Sequence, residues 1–275
     1  MRTFLFYISA VSLLLLMLWA GVAAAINKTG KQVPLVQVEL VMDRDGAAPG
    51  SELLTALRFS IADGWHIYWQ NPGDSGMPTE FDIEHQPGLE VGGLLYPGPE
   101  RFDCPGDITN YGYKGETALF RGLRLGDDLE PGAELTLKGR ASWLVCKSEC
   151  RRGTADLVTT LRVSPKTEDN QDKEVLLDSL GRLPRPWPHA RDQVSINFDD
   201  KTLKLLAVDA TGIEFFPFEG SEPATARVEE IDKDGAHNRL LYLDYGNTPG
   251  TTIEGVLRIE REQPEFYEIK LERPF

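Results

Sequence analysis

Glu134-Leu135-Thr136-Leu137-Lys138-Gly139-Arg140-Ala141-Ser142-Trp143-Leu144-Val145-Cys146, followed by Lys147-Ser148-Glu149 and then Cys150, is the stretch that decides the fold. Successive side chains of a strand point to opposite faces, so Leu135, Leu137, Ala141, Trp143 and Val145 share one face. The same alternation runs through Ala155, Leu157, Thr159, Leu161 and Val163. Two alternating runs around a short break predict an antiparallel hairpin, with Cys146 and Cys150 facing each other across a three-residue tip. Directly opposed residues have Cα atoms ~4.5–5.5 Å apart, a span that a disulfide can bridge. No amphipathic helical pattern surrounds the pair.

The same period of two recurs outward from the hairpin. Val36, Val38 and Leu40 mark a strand within Val33–Met42, and Leu57 and Phe59 mark another within Leu53–Ile61. Turn signals punctuate between strands: Pro72-Gly73, Pro97-Gly98-Pro99, Pro105-Gly106 and Pro131-Gly132. Many short strands divided by such signals predict an all-β sandwich. The stretch from Pro165 to Pro188 breaks the pattern. It is charged at Lys166-Thr167-Glu168-Asp169 and ends in Pro184-Arg185-Pro186-Trp187-Pro188. Between these ends, Lys173–Leu183 has Val175, Leu176 and Leu180 on one side of a short helix. Further strands are read at Val194–Phe198, Thr202–Asp209, Gly212–Phe218, Leu240–Tyr245, Thr251–Glu260 and Phe266–Leu271. The expected layout is a leader over 1–25, a first domain over 26–165, a linker over 166–190, and a second, smaller β-sandwich-like domain over 191–275.

The leader is read from Arg2, the apolar run Phe4–Trp19 and the small residues Ala23-Ala24-Ala25, which together have the form of a cleaved secretory signal. A membrane anchor is the alternative; the run is near the lower length limit for spanning and has no basic stop after it. No later segment is long and apolar enough to span a membrane. Net charge is −14, and loss of Arg2 with the leader makes the remainder more acidic still. Such a surface disfavours nucleic acid and anionic lipid as partners.

Export decides what the cysteines are for. In an oxidising compartment a thiol pair is a staple or a redox centre, with metal ligation a third reading. A disulfide closing so small a ring gains only ~2 kcal/mol of loop entropy, against ~4 kcal/mol for a ring of about 40 residues. Cys146–Cys150 would therefore be a weak staple. Lys147, Arg151 and Arg152 stabilise a neighbouring thiolate and Glu149 opposes them, unless all four simply solvate a hairpin tip. Cys104, in Asp103-Cys104-Pro105-Gly106, is read three ways: a resolving thiol, a soft ligand for Cu(I), or an unpaired bystander. His66, His85, His189 and His237 form no ligand-spaced cluster, and His66 is read as packed within the Trp65–Trp69 strand. Asp74 and Ser75 are read as turn residues. Asn27-Lys28-Thr29 has the form of a glycosylation site. No cofactor or metal site is expected.

Trp65-His66-Ile67-Tyr68-Trp69-Gln70-Asn71-Pro72-Gly73-Asp74-Ser75-Gly76-Met77-Pro78-Thr79 resembles a signature of the N-terminal periplasmic region of DsbD-like thiol-disulfide interchange proteins. It looks closest to the ScsB branch, associated with suppression of copper sensitivity. Asn110-Tyr111-Gly112-Tyr113-Lys114-Gly115-Glu116 fits the same family, as does Trp143-Leu144-Val145-Cys146-Lys147 with Cys150. Gly212-Ile213-Glu214-Phe215-Phe216-Pro217-Phe218 is similar to a segment of that branch's second N-terminal domain. The resemblance implies an immunoglobulin-like fold in the first domain, with Cys146 and Cys150 as the redox pair. Tyr111, Gly112 and Tyr113 would be the counterpart of an aromatic cap over that pair. It implies thioredoxin-like redox proteins or a membrane electron-transfer protein as partners, and the periplasm as the compartment. Where the family often follows its second cysteine with Ile/Tyr-Pro, this chain has Arg151-Arg152-Gly153. Whole transporters of the family continue into membrane helices; none is read here, so the chain would receive electrons from a separate protein or serve another role.

Two functions of different class follow. One is an exported thiol-disulfide exchange module, in which the resemblance makes Cys150 the attacker and Cys146 the resolver. The other is a non-catalytic binding or copper-handling sandwich whose disulfide only pins a hairpin.

Overall fold

The computed structural model describes residues 34–273 apart from 167, 171–172, 188–193, 233–234 and 248–251. The expected leader over 1–25 and the Asn27–Thr29 site lie outside the described residues. Among the described residues the chain forms twenty strands. The first eleven are β1 (Val36–Met42), β2 (Arg44–Ala47), β3 (Glu52–Ile61), β4 (His66–Gly73), β5 (Glu80–Ile83), β6 (Leu89–Leu95), β7 (Glu100–Cys104), β8 (Ile108–Tyr113), β9 (Glu116–Leu125), β10 (Glu134–Cys146) and β11 (Cys150–Val163). A short β12 (Glu168–Asp169), one helix α1 (Lys173–Leu180) and a short β13 (Arg185–Pro186) follow. The rest are β14 (Val194–Asp199), β15 (Thr202–Ala207), β16 (Gly212–Pro217), β17 (Thr225–Glu230), β18 (Arg239–Asp244), β19 (Thr252–Glu260) and β20 (Glu265–Glu272).

The first half is a sandwich of two sheets. One has the order β1-β3-β9-β6; the other runs β12-β2-β11-β10-β4-β8-β7, with β5 also pairing to β10. Their facing sides supply one core, in which Leu57, Phe59 and Leu119 from the first sheet meet Ile67, Trp69, Tyr113, Trp143 and Val145 from the second. The β10–β11 hairpin runs in unbroken register from Glu134↔Arg162 to Cys146↔Cys150. Gly153 opposes Trp143, and a Cβ there would come within 2.3 Å of the indole. Glycine at this position gives the ring room to lie over β11.

The second half is also two sheets, β13-β20-β19-β16 and β14-β15-β18-β17. Leu203, Leu205, Phe215, Leu241, Ile253, Leu257 and Tyr267 form its core. The sheet containing β16 is buried on both faces. Phe215 enters this second core, while Phe216, Val256 and Phe266 enter the core of the first sandwich. A strand covered on both sides reads as a continuous apolar run rather than an alternating one, which is what Phe215-Phe216-Pro217-Phe218 is.

The described residues of the connection between the halves touch both of them. β12 pairs with β2 of the first sandwich and β13 with β20 of the second. Between them, the helix predicted from the sequence forms as α1. It buries Leu176 against Ala56, Ala118 and Phe120 on the outside of the first sheet.

Phe216 is fully buried and edge-on to both Trp69 and Tyr111. Truncating a buried Phe costs ~3–5 kcal/mol. Phe216→Ala should therefore lower unfolding stability in urea by roughly that amount; a loss below ~1 kcal/mol would mean that the two halves do not share a packed core.

Candidate functional site

The site begins where the long hairpin ends. Lys147, Ser148 and Glu149 form the tip, closed by a backbone bond from Lys147 N–H to the Glu149 carbonyl at 3.0 Å. Cys146 and Cys150 are bonded to each other, with Cα atoms 4.2 Å apart, and Cys104 is a free thiol. The two half-cystines sit in different surroundings. Cys146 is 2% exposed, whereas Cys150 is exposed with the rest of the tip.

The sheet order explains the asymmetry. At its cysteine end β10 pairs on one side with β11 and on the other with β4, through Val145↔Ile67 and Cys146↔His66. Cys146 is thus flanked on both sides, while Cys150 lies on the outer strand of the tip. Directly paired residues share a face, so Cys150, Cys146 and His66 form a row across three strands. Val145 and Ile67 point the other way, into the sandwich core.

His66 is 8% exposed and is held by aromatic contacts. Its ring stacks on Phe102 at 4.6 Å and 15°, and meets Tyr68 edge-on at 5.1 Å. Its Nε2 is buried without a hydrogen-bond partner. Burial holds the imidazole pKa below its ordinary 6.5, because desolvation penalises the charged ring. The ring is therefore neutral at pH 7.

Arg151 and Arg152 are consecutive and lie on opposite faces. Arg151 pairs with Glu149 at 2.5 Å and sits 5.9 Å from the Trp65 ring. Arg152 opposes Leu144 and so shares the cysteine face, and it is exposed. Lys147 lies against Gly64.

Tyr113 pairs with Ile67 and is 1% exposed, its hydroxyl donating to the Pro97 carbonyl at 2.8 Å. Tyr111 follows the same alternation and packs edge-on to Phe216. Both rings face the interior of the molecule, so neither lies on the face that carries the disulfide. Gly112 does lie on that face. A Cβ there would fall 1.9 Å from the Ile67 carbonyl oxygen, so glycine is what lets β8 close up against β4. The aromatic groups that do share the cysteine face are His66, Tyr68 and Phe102.

Cys104 is on this face as well, two residues beyond Phe102 on β7, and accepts a bond from Asn110 Nδ2 at 3.6 Å. Asp74 is a turn residue, its carboxylate accepting from Thr109 N–H at 2.8 Å; Ser75 bonds Asn110 through its own N–H and hydroxyl. Among the described residues, no three His, Cys, Asp or Glu side chains are grouped to hold a metal. His66 is packed within its strand, as its sequence context predicts, whereas the role of Phe102 is not legible in the sequence. No local signal marks it, because the neighbours that matter are on strands distant in the chain.

Residues 34–162 match the family of the thiol:disulfide interchange protein DsbD, N-terminal. The chain is similar to the N-terminal periplasmic domain of ScsB from Proteus mirabilis, with a TM-score of 0.57 and 17% identity over 89% of this chain and 96% of that one. A weaker likeness, TM-score 0.30 at 14% identity, is to the reduced DsbD N-terminal domain of Neisseria meningitidis, covering 53% of this chain and 100% of that one. No curated protein sequence matches the chain. The fold of the first half is the immunoglobulin-like sandwich of the DsbD N-terminal domain.

Thiol reactivity follows thiolate character and access. After full reduction, iodoacetamide should label Cys150 at least about tenfold faster than Cys146, as read by peptide mass mapping. Equal labelling would show that the buried position of Cys146 is lost in the dithiol form.

Proposed function

We propose, from residues 34–162 belonging to the DsbD N-terminal family, that the protein is a thiol-disulfide exchange module working through Cys146 and Cys150. It acts in the periplasm after export. It passes electrons from a thioredoxin-like protein or a membrane electron-transfer protein to periplasmic partners. Residues 26–165 carry the chemistry, and 191–275 are a second domain that buttresses it across the 166–190 connection.

The observation that carries this reading is the unequal exposure of the two half-cystines. Exchange needs one sulfur that a partner can reach and a second that returns only after the partner is bound. A donor thiolate attacks Sγ of exposed Cys150, the Cys146–Cys150 bond breaks, and Cys146 leaves as thiolate and takes up a proton. A second donor thiol then releases Cys150, leaving a dithiol. In the forward direction the Cys150 thiolate attacks a partner disulfide and forms a mixed disulfide. Cys146 resolves it, so two electrons pass to the partner. The positive charge of Arg152 on the same face supports the Cys150 thiolate.

Removing the resolving thiol traps the covalent intermediate. With an added thioredoxin-like protein, Cys146→Ala should give a larger band on a non-reducing gel that disappears on reduction, and Cys150→Ala much less of it. If neither variant traps a partner under conditions that cycle the wild type, the disulfide is a structural pin of the hairpin.

A further inference from the structure

The resolving step asks something of Cys146 that its surroundings make difficult. Once Cys150 is tied to a partner's sulfur, Cys146 is a thiol at a position that is 2% exposed. Burial in apolar surroundings favours the neutral thiol, yet only the thiolate is a good nucleophile. A nearby proton acceptor would remove the difficulty, and the exposed basic residues of the tip, already cationic, cannot serve.

We propose that His66 is the proton acceptor for Cys146 in the resolving step. This rests on the exchange reading above. His66 is the ladder partner of Cys146 on β4, on the same face of the sheet, with Cα atoms of such partners ~4.5–5.5 Å apart. Its stack on Phe102 and edge contact with Tyr68 fix the plane of the ring. Its Nε2 is enclosed and has no protein partner. A ring kept neutral by burial is still a base at pH 7.

The step balances within the complex. The imidazole takes the Cys146 proton as that sulfur attacks Sγ of Cys150. The Cys146–Cys150 bond forms, the bond from Cys150 to the partner's sulfur breaks, and the electron pair leaves with the partner's thiolate. The imidazolium returns its proton to that thiolate. The protein's dithiol is oxidised by two electrons and the partner's disulfide is reduced by two.

Other titratable or charged groups share this face. Nearest His66 are Tyr68 on β4, Cys150 and Arg152 on β11, Cys104 on β7, and Lys114 just past β8, which is ion-paired at 2.7 Å to Glu100 of β7; farther along β10 the face carries Glu80 and Asp82 of β5 and the Arg140–Asp156 ion pair. An imidazole acceptor is distinguished from all of these by the form of its pH profile. With His66 neutral, resolution should be nearly flat across about pH 7–9, and should fall only in acid, once the ring is protonated below 6.5. Without it, the rate should climb about tenfold per pH unit as the thiol ionises unaided.

The test adds oxidised glutathione to the fully reduced protein. Samples are quenched in acid, and the Cys150–glutathione adduct is followed by mass. His66→Phe keeps a ring against Phe102 and removes both nitrogens; it should prolong the adduct about tenfold or more at pH 7 and converge on wild type near pH 10. His66→Gln is measured in parallel and should behave alike, with the melting temperature of each oxidised variant as the check on folding. Equal lifetimes at pH 7, or a slowdown constant across pH, would overturn the role of His66 while leaving exchange intact. A wild-type rate that itself climbs tenfold per unit from about pH 7 would overturn it without any variant. A wild type that forms no adduct and does not reoxidise would remove the exchange reading itself.

Discussion

The two-residue overlap between β10 and β4, Val145 with Ile67 and Cys146 with His66, is the constraint on which the site depends. Without it the hairpin tip would be a bare two-stranded ribbon with both cysteines equally open to water. With it, Cys146 is an interior position of a sheet and Cys150 remains on the edge. One disulfide thus acquires a protected sulfur and an accessible one, although the two residues are only four apart in sequence. The cost is that β4 must be covered on both faces at once. Ile67 and Trp69 are buried in the core, while His66 and Tyr68 are buried on the outer face beneath Phe102 and the loop at Gly76.

β4 also ties the site to the rest of the molecule. Trp69 packs against Phe216 and Phe218, and Asn71 donates to the Pro217 carbonyl at 2.9 Å from a buried position. Leaving that buried amide unpaired would cost ~1–3 kcal/mol, so the polar contact fixes how the second half sits on the first. The stretch Trp65–Thr79 thereby carries three tasks in one chain segment: the residue beside the cysteine, the centre of the core, and the joint to the second sandwich. The second half brings no cysteine of its own. Its contribution is to close the core that holds β4 in place.

The parts legible in the sequence were those set by local pattern. The hairpin and its facing cysteines were readable because its pairs are sequence neighbours around a short tip and its faces alternate, although β11 starts at Cys150, before the alternation that is legible from Ala155. Strands of the second half, such as β16 and β19, were found within a residue or two for the same reason. β17 escaped because it is an exposed edge strand with no apolar side to its pattern. The exposure of Cys150 and burial of Cys146 could not be read, since they follow from β4 joining β10 across some 80 residues of chain. Tyr111 and Tyr113 resembled a cap by motif alone. Their side chains are aimed by the register of β8 on β4, which puts Tyr113 opposite a core residue and leaves Gly112 on the cysteine face. His66 was correctly seen as packed, but its neighbour across the sheet was not visible in the sequence.

The central claim is that Cys146–Cys150 is a working redox pair and not a staple. Its reduction potential, measured by equilibration with dithiothreitol or glutathione buffers, tests this most directly. A ring so short gains little loop entropy from closure, and its accessible sulfur admits an attacking thiolate. The value should therefore lie above roughly −300 mV, within reach of thioredoxin-like partners. A value well below about −300 mV would make the bond a structural one and contradict the account.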